Sequence, residues 1–132
     1  MPSRKTASDR IPDPRAALGR AAEDAAVRHL ERLGYEIFAR NVRLGGAEID
    51  VIARDGDAIV FVEVRSRSGR GHGGPLETVG AVKQARIARA AAVYLARTGR
   101  GEAPARFDVI GVDWCAGEPR LVLVRNAFES PL

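Results

Sequence analysis

Two spacings of apolar residues alternate along the chain. Over residues 16–33 they recur every three to four positions. Leu18, Ala22, Ala25, Ala26, Leu30 and Leu33 then share one face of a helix, and Gly34 marks its stop. Glu23 lies at the edge of that face and His29 within it, where a packed imidazole is the ordinary expectation. Beyond Gly34 the spacing becomes two. Residues 35–43 alternate weakly and predict a first strand, broken by Gly45 and Gly46. Residues 48–53 and 58–65 are rich in Val, Ile and Phe and predict two further strands. Between them, Asp55-Gly56 predicts a type I′ hairpin turn, which needs positive φ at both central positions. A glycine-rich loop, "SRSGRGHGGPLE", follows at 66–77. Thr78 is placed to cap a second helix running to about Thr98, and "RFDVIGV" and "LVLVRNA" predict two last strands. Helix, three strands, helix, two strands is the order of an α/β layer fold with a mixed central sheet. Residues 1–14, polar and carrying Pro2, Pro12 and Pro14, are expected to form a disordered arm before a single domain over 15–132.

Three acids interrupt the strongest apolar stretch. Alternation puts Glu48, Asp50 and Ile52 on one face of their strand, and Ile59, Phe61, Glu63 and Arg65 on one face of the next. With Asp55 and Gly56 as the loop, Arg54 pairs with Asp57, Asp50 lies opposite Phe61, and Glu48 lies opposite Glu63. All three carboxylates then emerge on one side, with Asp50 and Glu63 diagonal neighbours roughly 7–8 Å apart at Cα. Like charges so placed destabilise a sheet unless compensated. A carboxyl could keep its proton, arginines could pair with the group, or a divalent cation could bind. Arg65, two residues beyond Glu63, is the obvious internal counter-ion. Oxygen ligands favour Mg²⁺ or Mn²⁺, whereas acids at strand ends are also common salt-bridge partners.

Charge narrows the partner. The 132 residues carry a net +4. Residues 65–100 concentrate it: Arg65, Arg67, Arg70, Lys83, Arg86, Arg89, Arg97 and Arg100 face a single acid, Glu77. This suggests a polyanionic partner, against the plainer alternative of a solvated helix face. On the second helix Arg86, Arg89 and Arg97 share a stripe with Lys83 at its edge, suited to a phosphate backbone. Aromatic content of 5% gives no evident platform for stacking bases. The lone Cys115 forbids an intrachain disulfide and fits a reducing compartment. No apolar run approaches the about 18 residues of a membrane span, and residues 1–14 lack the apolar centre of a secretory signal, so a cytoplasmic protein is expected.

The stretch "EIDVIARDGDAIVFVEVRSR", with "GRAAEDAAVRHLERLGY", "VKQARIARAAAVYL", "RFDVIGV" and "NAF" in order, resembles the YraN-like family of predicted bacterial endonucleases. That family is similar to Holliday-junction resolvases and the PD-(D/E)XK nucleases, and the likeness covers most of residues 19–128. It implies a restriction-endonuclease-like three-layer fold and Mg²⁺- or Mn²⁺-dependent cleavage of nucleic acid, DNA before RNA. The alternative is a non-catalytic nucleic-acid-binding module on the same fold. The resemblance would assign the first-helix acid to Glu23 and metal ligation to Asp50, Glu63 and the main-chain carbonyl of Val64, with Glu48 open between ligand and structural acid. Arg65 stands where the superfamily usually has Lys. Arg stays protonated, so it would stabilise charge or orient water and would not act as a general base. Ala47 replaces a glycine the family often has before the acid pair. Gln84 falls on the sheet-facing side of the second helix, where related nucleases often hold a Gln near the metal; a core amide bonded to backbone is the competing reading. Arg67, Arg70 and His72 would let the glycine loop close over nucleic acid. By analogy with resolvases alone, a homodimer is expected.

Overall fold

The computed structural model describes residues 14–68 and 79–130. Its elements run α1 (Pro14–Arg32), β1 (Glu36–Leu44), β2 (Ala47–Asp55), β3 (Ala58–Ser68), α2 (Ala81–Arg97), β4 (Ala105–Cys115) and β5 (Glu118–Phe128). This chain order is the one the apolar spacing predicts. Five strands form one mixed sheet in the order β1-β2-β3-β4-β5. All neighbours are antiparallel except β3 and β4. A parallel pair needs a long crossover, and the segment carrying α2 supplies it.

The sheet is covered on both faces. Ala22, Ala25, Ala26 and Leu30 of α1 pack with Tyr35, Val51, Ala53, Val60, Val62, Ile110 and Val112. On the other face Ile87, Ala88, Ala90, Ala91 and Leu95 of α2 pack with Ile49, Ile52, Ile59, Phe61, Phe107 and Val109. Burial on both faces explains why β3 reads as an unbroken apolar run rather than an alternation. Phe107 stacks between Phe61 and Phe128, at ring separations of 5.7 and 4.9 Å.

Local chemistry sets the ends. Gly34 takes φ +95°, and the Tyr35 N–H bonds the Leu30 carbonyl at 3.0 Å, a Schellman-type stop for α1. That stop leaves Leu33 45% exposed, not on the buried face that the helical wheel assigns it. The residue before α2 is Gly80, with no side-chain cap. The expected Thr78 cap lies outside the described residues, as do the rest of the glycine loop from 69 and the N-terminal arm through residue 13; Pro14 already belongs to α1.

The hairpin register differs from the expected one. Asp55 pairs with Ala58 and Ile52 with Phe61, so the loop residues are Gly56 and Asp57. Gly56 has φ +59°, while Asp57 is not in the positive-φ region. That is the φ pattern of a type II′ turn, in which glycine takes the first central position rather than the second. The type I′ pattern occurs instead at Gly45-Gly46 and Ala116-Gly117, where both residues have positive φ. The correction shifts pairing by two residues and so keeps the faces of the paired residues 51–55 and 58–62; beyond them Ile49 joins Ile52 on the α2 side, and strict alternation is lost around Asp50.

Candidate active site

The shift changes the surroundings of the central acids. The β2–β3 ladder ends at Val51 opposite Val62. Asp50 lies one residue beyond that last pair and is not opposite Phe61, which pairs with Ile52. Glu48 pairs on its other side, with Arg43 of β1, its carboxylate 3.2 Å from the Arg43 Nε. Asp50 Oδ2 accepts the Val64 N–H at 2.8 Å, so the carboxylate bonds the strand that carries its neighbour. This is its one hydrogen bond among the described residues.

Electrostatics follow from the placement. Burial, then repulsion by Glu63, pushes the Asp50 carboxyl up to about 7; the Val64 N–H and Lys83 pull the other way, and Glu23 adds to the repulsion. The Glu63 side chain is 9% exposed and accepts a hydrogen bond from the Lys83 ammonium. Arg65, expected as the internal counter-ion, pairs with neither acid. The correction is geometric: α2 lies over this face of the sheet, and the first turn of that helix delivers a cation directly onto Glu63.

Asp50, Glu63 and Lys83 line a cleft of about 660 Å³ with Glu48, Arg86 and Val82. Glu23, on α1, lies near enough to raise the Asp50 carboxyl. Its carboxylate accepts from the Asn41 side-chain amide at 2.9 Å and from Arg40 at 3.3 Å, and Arg40 also grips Asp24 at 2.7 Å. Asn41 takes φ +53°, a left-handed conformation that Asn tolerates better than most residues. Asn41 and Arg40 were not legible as site residues. "ARNVRL" offers only an Asn within a weak strand, and nothing local connects it to α1.

Other expected residues distribute as follows. Gln84 is half-buried, as its position on the wheel predicts, but its amide nitrogen donates to the Val79 carbonyl at 2.6 Å. It secures the start of α2 and does not line the cleft. Arg86 and Arg89 are exposed and flank a shallow groove with Ala81, Val82 and Ala85. Arg97 is exposed in the last turn of α2, eleven residues beyond Arg86, or about 16 Å along the axis. Arg70, His72 and the Arg67 side chain fall outside the described residues.

The carboxylates of Asp50 and Glu63 and the main-chain carbonyl of Val64 offer oxygen donors only. Among the described residues no group of three or more His, Cys, Asp and Glu is gathered to hold an ion. Mg²⁺ ordinarily takes only one or two protein carboxylates and fills its remaining positions with water and phosphate oxygens. Asp50 and Glu63 therefore fit such an ion without Glu48.

The profile of the uncharacterised protein family UPF0102 matches residues 22–112. The chain is similar to the UPF0102 protein of Symbiobacterium thermophilum, 50% identical over 114 residues, which span 86% of this chain and 97% of that one. It is also similar to the UPF0102 protein of Geobacter metallireducens, 44% identical over 113 residues, or 86% of this chain and 93% of the relative. Among solved structures, that of Pyrococcus furiosus SfsA in complex with Ca²⁺ matches at a TM-score of 0.38 and 16% identity, over 84% of this chain and 62% of that one. This chain thus spans less than two thirds of that protein. No helix among the described residues is long and apolar enough to cross a membrane.

Proposed function

The chain belongs to the uncharacterised protein family UPF0102, and from that premise we propose that it is a metal-dependent endonuclease that hydrolyses phosphodiester bonds in nucleic acid, DNA before RNA. The observation that carries the reading is Asp50 beside Glu63 on the wall of an open cleft. Burial, with repulsion from Glu63, disfavours the charged form of Asp50, and a bound cation would relieve that cost. In this reading the sheet is the core of a restriction-endonuclease-like fold.

Asp50, Glu63 and the main-chain carbonyl of Val64 would hold Mg²⁺ or Mn²⁺. When bound, the ion would polarise a phosphoryl oxygen and lower the pKa of a water. The chain's own residues do the remaining work. The Val64 N–H fixes the rotamer of Asp50. Glu23, itself fixed by Asn41 and Arg40, backs Asp50 with negative charge. Arg86 and Arg89 present guanidinium groups beside the cleft, where they would hold flanking phosphates and so set the register of the strand to be cut. Gln84 contributes by keeping the first turn of α2 in place.

The replacement of the usual Lys by Arg65 favours a second reading, a nucleic-acid-binding module without activity. One experiment separates the two. Duplex, single-stranded and branched DNA are incubated with the protein in Mg²⁺ or Mn²⁺, beside an Asp50→Ala control. Metal-dependent cleavage that the substitution abolishes supports the enzyme. Binding retained on every substrate with no cleavage establishes the non-catalytic module.

A further inference from the structure

Arg65 lies two residues beyond Glu63 in β3, yet the cation that reaches Glu63 comes from another element. The Lys83 Nζ, in the first turn of α2, donates to Glu63 Oε1. Among the described residues Arg65 forms no ion pair.

Two features set this pair apart from an ordinary surface salt bridge. The first is its asymmetry. The Glu63 side chain is 9% exposed and that of Lys83 52%. The sheet fixes the anion, while the cation sits at the end of a four-carbon stem open to the cleft, free to rotate its three donors. The second is its location. Lys83, Glu63 and Asp50 line the same cleft. The ammonium therefore lies on a carboxylate that a divalent cation held between the two acids would also need. Two cations on one carboxylate repel, so each weakens the hold of the other.

We propose that Lys83, rather than Arg65, is the working cation of this site. It neutralises Glu63 while no divalent ion is bound, and it turns to a non-bridging phosphate oxygen of the substrate once such an ion takes its place. The proposal rests on the nuclease reading above and deepens it. Helix geometry supports the second position. Arg86 lies one turn beyond Lys83 and lines the same cleft, so a phosphate taken by Lys83 is already within the field of a second cation.

The test reads metal affinity directly, by Mn²⁺ titration followed by electron paramagnetic resonance, on the wild-type chain and on Lys83→Met, Lys83→Arg and Arg65→Met. Thermal unfolding of each confirms that it is folded. Lys83→Met is expected to bind Mn²⁺ about two- to fivefold more tightly, the range that a half-exposed ion pair converts to. Lys83→Arg should stay within about twofold of wild type, and Arg65→Met should not change. With DNA present, Lys83→Met loses cleavage although its metal site is filled more readily. Unchanged Mn²⁺ affinity in Lys83→Met, or a rise in Arg65→Met instead, overturns the proposal and leaves the nuclease reading intact. Absence of Mn²⁺ binding in all four proteins overturns both.

Discussion

The tripeptide Asp-Val-Ile occurs twice, as Asp50–Ile52 in β2 and Asp108–Ile110 in β4, each time within an apolar strand. The two aspartates have opposite surroundings. Asp108 is fully buried and accepts from the Tyr35 hydroxyl at 2.9 Å, from Arg106 Nε and a terminal nitrogen at 2.9 and 3.0 Å, and from the Asn126 N–H at 2.9 Å. Arg106 in turn reaches Asp55 at 2.8 Å, and Arg125 donates to the Tyr35 hydroxyl at 3.0 Å. The Asp108 hydrogen bonds, with the bond to Asp55, hold the Arg106 guanidinium above its usual pKa, and burial raises the Tyr35 phenol. Asp50 has one donor and an acidic neighbour. A carboxylate with all its acceptor capacity met is part of the scaffold. One left unmet on a cleft wall is available to a ligand. The distinction lies in donors brought from distant elements, not in the strand itself.

The comparison is broken most severely at Asp108. Asp108→Ala leaves Arg106 half-buried without its main partner and strips the acceptor from Tyr35 and the Asn126 N–H. A loss of about 3–5 kcal/mol is expected, as for other ion pairs broken on one side. Urea denaturation of the purified domain measures it; a loss below about 1 kcal/mol would show the network to be dispensable. Asp50→Asn should act in reverse. It removes the buried charge and its repulsion with Glu63, so the metal-free domain should gain about 1–3 kcal/mol at pH 8. The proposed cleavage should fall at least about 100-fold. A variant both less stable and fully active would place Asp50 with Asp108, in the scaffold.

The contrast also marks how far the sequence could be read. The element order and the Gly34 stop follow from local spacing and local φ requirements. The hairpin register does not, because "RDGD" accommodates glycine at either central position of a two-residue turn and only the packing of β2 on β3 selects one. Parity nonetheless protected the reading of the faces over 51–55 and 58–62. Lys83 was legible as basic but not as the partner of Glu63, since periodicity records which side of α2 a residue occupies and not what a long side chain reaches. The Asp108 network was invisible for the same reason: its donors come from Tyr35 between α1 and β1, from β4 itself and from β5.

A smaller effect appears in the pH dependence of stability. The Asp50 carboxyl is raised from 3.8 to about 7 on folding. Between those values the unfolded chain has lost the proton that the folded chain still holds. Stability of the metal-free domain should therefore fall as pH rises from about 4 through about 7, by at most about 4 kcal/mol and by less where Lys83 moves to compensate. Thermal unfolding at a series of pH values measures this, with Asp50→Asn as reference, since that substitution should flatten the curve. Millimolar Mg²⁺ should restore stability at pH 8 and do little at pH 5, where the site is protonated. Parallel curves for the two proteins would mean that Asp50 does not titrate in this range.

The smallest expected effect is at Arg89, on the exposed stripe of α2 and away from both aspartates. Arg89→Ala removes one proposed phosphate contact and no packing, because the side chain is exposed and makes no ion pair among the described residues. Stability should change by less than about 0.5 kcal/mol. Affinity for DNA should weaken alike for all sequences, with the slope of log K against log salt reduced by about one. The slope is the informative quantity, since a change in affinity alone could come from a disturbed helix. A basic residue that only solvates α2 leaves the slope unchanged, and the stripe would then belong with the scaffold side of the comparison. A slope reduced by one ties the stripe to the cleft that Asp50 lines, at a residue whose loss neither acid would register.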